Sequence, residues 1–300
     1  MHTSRHDTRV SSAVVLAMIA MLIPALITPS SAGPIDPPGG TIAPTGPNLI
    51  FPENLDTFPI TIDTPGQYKL MGAVRFNGLA GSGSIVIDAS DVTLDLNGFA
   101  IIQAGVTLGN GISFPASGSV ERVVIRNGEI RDCNFGVIGD EDVLSQLVVE
   151  NVGFHRIRAA AITAGDDAIV RDCEFYDTAS FFSAIRVRDH AIIERCTIVD
   201  ANQGAILVRR GCVVRDNVIR DSNLGIEGSD NAGANAYNRI LDNTINNVVR
   251  GIDFGADNPL QLIYNNVVTD ASNDAIDAAS SDQPQASDST NALPLSNFVE

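Results

Sequence analysis

The 300-residue sequence predicts an all-β solenoid of about eight coils, and three observations predict it. Eight Asn or Cys residues, Asn97, Asn127, Asn151, Cys173, Cys196, Asn217, Asn243 and Asn266, recur at steps of 30, 24, 22, 23, 21, 26 and 23 residues. Each sits among short apolar runs such as VTLDLNGFAI, AIIERCTI and RILDNTI. A second column, Ile112, Val137, Ile162, Ile185, Ile206, Ile226, Ile252 and Ile276, follows the first by 9 to 15 residues and is preceded by Gly or Ala. A repeat near 23 residues with no helical period marks stacked units, each burying its apolar face against the next.

In chain order, residues 1–32 read as an export signal. Arg5 and Arg9 precede the apolar stretch Ala13 to Ile27, and Ser30-Ser31-Ala32 supplies small residues for cleavage. That stretch is too short for a comfortable membrane span, and no second long apolar run follows it. Residues 33–48 are rich in Pro and Gly and read as a flexible leader. Residues 49–279 form the repeat domain, with 49–75 expected to cap one end and GQYKLMGAV to pair beneath the first coil as an entry strand. Residues 280–300 read as a polar tail whose final ALPLSNFVE is expected to fold back on the other end.

The formal charge is −17, and loss of residues 1–32, with two Arg and one Asp, makes it −18. Such a surface repels nucleic acid and anionic membranes, so neither is an expected partner. One Lys, Lys69, stands against eighteen Arg, and Trp is absent.

A loop of about 23 residues closes with three short strands whose side chains alternate inward and outward. Ile185 and Val187 point in while Arg186 and Arg188 point out; Ile206 and Val208 point in while Leu207 and Arg209 point out; Ile252 and Phe254 flank outward Asp253. Asn97, Asn127, Asn151, Asn217, Asn243 and Asn266 are expected to stack in one turn column and hydrogen-bond along the axis. Cys173 and Cys196 then lie one coil apart, about 4.8 Å between Cα atoms, within reach of a disulfide or packed as two buried thiols.

With these features the chain resembles the right-handed parallel β-helix proteins, the pectin-lyase-like group, over roughly residues 60–279, and exported bacterial members in particular. The resemblance implies polysaccharide lyases, glycoside hydrolases, tailspikes and many members without known activity. Asp166-Asp167 resembles the paired Asp of polygalacturonases, but the other motifs of that family are missing, and a Gly-Asp-Asp turn is ordinary turn chemistry. A Lys base of the pectate lyase kind is nearly excluded because Lys69 precedes the coils.

Two outward sets remain as candidates. Arg186, Arg188 and Arg209 can grip a uronate or sulfate, or simply balance an acidic protein. Glu227, Asp253 and Asp277 form an acid column that can hold calcium, or stand as solvated acids. Asp253, Glu227 and Arg186 are the catalytic candidates, since carboxylates on adjacent or alternate coils span the glycosidase range. The loop GSDNAGANAYN, residues 228–238, is expected to lean over Glu227. Asp177, Asp200, Asp221, Asp270 and Asn247 read as turn residues.

The sequence therefore points to a secreted, periplasmic or cell-surface β-helix protein that binds, and as an enzyme processes, an acidic extracellular polysaccharide. The alternative is a noncatalytic scaffold whose long side makes protein contacts.

Overall fold

The computed structural model describes residues 46–278 apart from 53–57, 78–80, 82, 106–107, 117, 179–180, 230–236, 256–260 and 274. The expected signal, the expected tail, residues 33–45 of the expected leader and most of the 228–238 loop lie outside the described residues, and the last leader residue, Asn48, opens the first strand. In chain order the strands are β1 (Asn48–Ile50), β2 (Ile60–Ile62), β3 (Gly66–Leu70), β4 (Val74–Phe76), β5 (Gly83–Ile87), β6 (Val92–Asp95), β7 (Ala100–Gln103), β8 (Asn110–Ser113), β9 (Val120–Arg131), β10 (Val137–Ile138), β11 (Leu144–Ile157), β12 (Ile162–Ala164) and β13 (Ile169–Arg171). They continue with β14 (Glu174–Thr178), β15 (Ser183–Val187), β16 (Ile192–Glu194), β17 (Thr197–Ala201), β18 (Gly204–Val208), β19 (Val213–Arg215), β20 (Val218–Gly228), β21 (Asn238–Leu241), β22 (Thr244–Gly255), β23 (Gln261–Tyr264), β24 (Val267–Ala271) and β25 (Ile276–Ala278).

All named pairings between these strands are parallel and join one rung to the next, which defines three faces. Face A carries β6, β13, β16, β19, β21 and β23 with the first halves of β9 and β11. Face B carries β7, β14, β17 and β24 with the second halves of β9 and β11 and the first halves of β20 and β22. Face C carries β5, β8, β10, β12, β15, β18, the second halves of β20 and β22, and β25. The eight repeats read from the sequence are the rungs β6 to β23. β3 pairs with β6 as the entry strand and β1 adds a further rung beneath it.

The core is three apolar stacks. On face C the second sequence column is in register throughout, from Ile112 through Ile185 and Ile206 to Ile276. On face A, Leu94, Ile125, Val149, Val170, Ile193, Val214, Ile240 and Ile263 follow one another. On face B the stack includes Phe154 and Phe175, whose rings lie parallel with centroids 5.0 Å apart. Each fully buried Leu, Ile or Phe stabilises by about 1.5–3 kcal/mol.

Small residues before the face C column have a steric cause. A Cβ on Gly225 would stand 2.2 Å from the carbonyl oxygen of Gly251 on the next rung.

The bends between faces correct the expected Asn column. Twenty non-glycine residues have positive φ among the described residues, and all fall into three bend columns. One precedes face A (Asp91, Arg122, Gln146, Asp167, His190); one joins A to B (Asn97, Asn127, Asn151, Asp172, Arg195, Asp216, Asp242, Asn265); one ends face B (Asp132, Arg156, Asp177, Asp200, Asp221, Asn247, Asp270). Fifteen of the twenty are Asp or Asn, the types that tolerate the left-handed region best. Asn127 and Asn151 are thus bend residues, and Asn97 turns back with Gly98, both at positive φ, in a tight Asn-Gly turn closed by Phe99 N–H to Leu96 O at 2.9 Å.

The buried amide column sits one residue later and, among the described residues, holds Asn217, Asn243 and Asn266, each 1% exposed. Asn217 Nδ2 donates to Asn243 Oδ1 at 3.0 Å, and Asn243 Nδ2 to Asn266 Oδ1 at 2.9 Å. Asn217 Oδ1 in turn accepts the backbone N–H of Cys196 at 2.9 Å. Cys173 and Cys196 continue this column as free buried thiols, so the disulfide reading is not realised. The Cys173 thiol donates to Arg171 O at 3.2 Å, and that of Cys196 to Glu194 O at 3.4 Å.

Ten of the bend residues are Asp, so the acidic balance is in part a consequence of turn chemistry. Where a bend residue is Arg, it pairs with the bend Asp one rung below: Arg122 with Asp91 at 2.6 Å, Arg156 with Asp132 at 2.6 Å and Arg195 with Asp172 at 2.8 Å.

Candidate functional site

The outer surface of face A is charge-matched within itself. Its outward column runs Lys69, Asp95, Arg126, Glu150, Arg171, Glu194, Arg215, alternating in sign at every rung. Arg171 meets Glu150, and Arg215 meets Glu194, each at 2.5 Å. Desolvation works against the charge of Glu194, but hydrogen bonds from Arg215 and Arg195 outweigh it and hold its carboxyl below the usual range. This ladder is structural.

Face C differs. Its outward column reads Ile138, Thr163, Arg186, Leu207, Glu227, Asp253, Asp277. Arg188 and Arg209 belong to the neighbouring column, where the Arg209 N–H donates to Arg188 O at 3.4 Å. The six candidates therefore share one face but occupy two columns.

Arg186, Arg188 and Arg209 line one open cleft of about 570 Å³ together with Glu141, Asp142 and Ser229. Glu141 and Asp142 belong to the excursion between β10 and β11, and Gly165 lets that excursion approach. A Cβ on Gly165 would lie 2.3 Å from the carbonyl oxygens of both Glu141 and Leu144. Arg186 faces Glu141 at 3.3 Å. Arg188 pairs with Asp142, donates to Glu141 O at 3.1 Å and lies 3.6 Å from Asp166. Arg209 lies 3.9 Å from Asp189, a carboxylate only 2% exposed that Arg210 also holds at 2.6 Å. The Phe182 ring covers the Arg186 guanidinium at 4.9 Å and stacks on Phe135.

The Asp166-Asp167 pair splits between two roles. Asp167 is a bend residue with φ 57°, and Asp166 sits beside Arg188.

Glu227, Asp253 and Asp277 do follow one another on successive rungs. Asp253 accepts from Arg250 at 2.8 Å. Among the described residues, no group of three His, Cys, Asp or Glu side chains is disposed to hold a metal ion.

Sequence reasoning missed Glu141, Asp142 and Phe182. The usable signal was the adjacent Phe181-Phe182 pair, 60% and 41% exposed in a chain without Trp.

A family model described as right handed beta helix region matches residues 71–223 and 142–291. The chain belongs to that family. The parallel coils with three faces are those of a right-handed β-helix of about eight turns. Comparison with curated proteins and with solved structures returns no match. No helix among the described residues is long and apolar enough to cross a membrane.

Proposed function

We propose that this β-helix protein is exported and binds an anionic extracellular polysaccharide across face C, with Arg186, Arg188 and Arg209 taking its carboxylate or sulfate groups. The observation that supports the reading is the Asp142–Arg188 pair. The Asp142 side chain is 82% exposed and reaches in from solvent onto the guanidinium of an Arg188 side chain only 20% exposed. It occupies the position that an anionic sugar substituent would take. The Phe182 ring beside Arg186 adds an apolar surface for a sugar face.

Titration calorimetry with polygalacturonate and heparin, dextran as the neutral control, with and without calcium, tests this. Arg188→Ala should weaken binding about tenfold, the loss of one charge-assisted contact, and salt should weaken it further. Asp142→Asn should strengthen binding by removing the internal competitor. Equal affinity of Arg186→Ala, Arg188→Ala and the unsubstituted protein removes face C as the site.

A second reading, a noncatalytic scaffold, is favoured by one observation. Each of the three Arg already faces an acid of this chain, Glu141, Asp142 or Asp189. No binding to any anionic polysaccharide selects it.

A further inference from the structure

We propose that the outer surface of face B holds a separate binding site for a small ligand bearing a primary ammonium group, an amino sugar or a diamine. The outward residue Gly153 stands between Glu129 and Glu174 on the flanking rungs. Its missing side chain opens a hollow of about 430 Å³. A Cβ there would meet His155 Nε2 at 3.0 Å and Glu129 Cγ at 3.8 Å, so the imidazole edge and the Glu129 side chain overhang the floor at Gly153.

Three kinds of wall surround it. His155 closes one side, its ring stacked on Tyr176 at 5.3 Å and its Nε2 4.0 Å from Glu129. The A-to-B bend closes the opposite side with Asn127, Asn151 and Asp172. Glu129 and Glu174 close the two ends, two rungs or about 9.6 Å apart along the axis.

The charges are unevenly matched. Arg131 lies 3.6 Å from Glu129, and Arg195 holds Asp172 at 2.8 Å. Glu174 is exposed and joins no ion pair among the described residues. The hollow therefore presents mainly acceptors, with one carboxylate uncompensated. An anion is repelled there. A metal ion lacks three converging ligands among the described residues. An ammonium group supplies three donors from one small centre, and its hydrogen bonds to carboxylates are charge-assisted. It fits between Glu129 and Glu174 over Gly153 with the imidazole alongside. The site shares no residue with the arginine cleft, so each stands or falls alone.

The test is nuclear magnetic resonance of the histidine-labelled protein, reading the His155 ring signals. Glucosamine and putrescine are the probes, with glucose and N-acetylglucosamine as uncharged controls. Both probes should shift the His155 signals saturably while the controls do not. Response to glucosamine alone assigns the site to amino sugars, and response to putrescine alone to diamines. Glu174→Gln should weaken binding about tenfold, the worth of one such contact. Gly153→Ala, which fills the floor beneath the imidazole, should weaken it as well. Unchanged far-ultraviolet circular dichroism of both variants shows that the coils are intact. No shift with either probe, an equal shift with glucose, or unaltered affinity in Glu174→Gln overturns the proposal.

Discussion

Replacing Asn243 with Leu should destabilise the protein more than any single substitution at the Asn97, Asn127 or Asn151 bends. Asn243 is 1% exposed and sits mid-ladder. Its Oδ1 accepts the backbone N–H and the side-chain amide of Asn217, both at 3.0 Å. Its Nδ2 donates to Val214 O and to Asn266 Oδ1, both at 2.9 Å. Leu leaves the Asn217 backbone N–H and the Val214 carbonyl without these partners. Asn217 Nδ2 keeps Ile193 O, and Asn266 Oδ1 keeps the backbone N–H of residue 243. Each buried group left unsatisfied costs about 1–3 kcal/mol, so the two together cost about 2–5 kcal/mol after partial relaxation. At about 2–4 °C per kcal/mol for a domain of this size, the thermal midpoint should fall by about 5–15 °C. The control is Asn151→Ala, which loses one exposed bond to Asn127 and strains one bend, worth about 1–2 kcal/mol. The assay is thermal unfolding followed by circular dichroism at 218 nm, a wavelength of about the usual β-sheet minimum, on both variants in one buffer. If Asn151→Ala unfolds at the lower temperature, the division between bend and ladder residues is refuted.

Thiol titration should find four reactive cysteines after denaturation and almost none before. Burial pushes the Cys133 thiol up to about 12 and the Cys212 thiol up to about 11, so little thiolate forms at neutral pH. Two thiols after denaturation would show a bridge instead. At the bend ending face B, Asp200→Gly should stay within about 0.5 kcal/mol and Asp200→Val should cost about 1–2 kcal/mol, read from urea midpoints. Glu194 has a carboxyl held below its ordinary value, so its stabilising contribution is complete above the unfolded carboxylate pKa of about 4.3 and is lost as pH falls through the lower folded value. Glu194→Gln should flatten that part of the acid limb, and an acid unfolding curve of unchanged steepness would place the proton uptake elsewhere.

The periodic part of the fold was legible because each apolar residue of a stack lies one coil from its equivalent, and a sequence records that spacing directly. The inward and outward alternation at Arg186 to Arg188 and the acid column from Glu227 to Asp277 followed from it, while the entry strand followed from the resemblance of VTLDLNGFAI to a first coil. Asn97, Asn127 and Asn151 were misplaced by one register position for a chemical reason. Asn suits both a left-handed bend and an axial amide ladder, so its identity cannot tell the two apart. Val152 and Cys173, each following a bend residue, mark the ladder position, but only strand register reveals it.

The sequence by itself determined the all-β class, the coil length, the apolar column from Ile112 to Ile276 and the outward placement of the Arg and acid sets, because these depend on period alone. Only the tertiary structure decided what meets what between coils. Arg188 pairs with Asp142 from 46 positions earlier because the excursion between β10 and β11 crosses Gly165. Glu129, His155 and Glu174 surround one hollow because Gly153 leaves a gap on the rung between the two acids. Such contacts depend on the path of a bend and on an absent side chain, and neither leaves a periodic trace in the sequence.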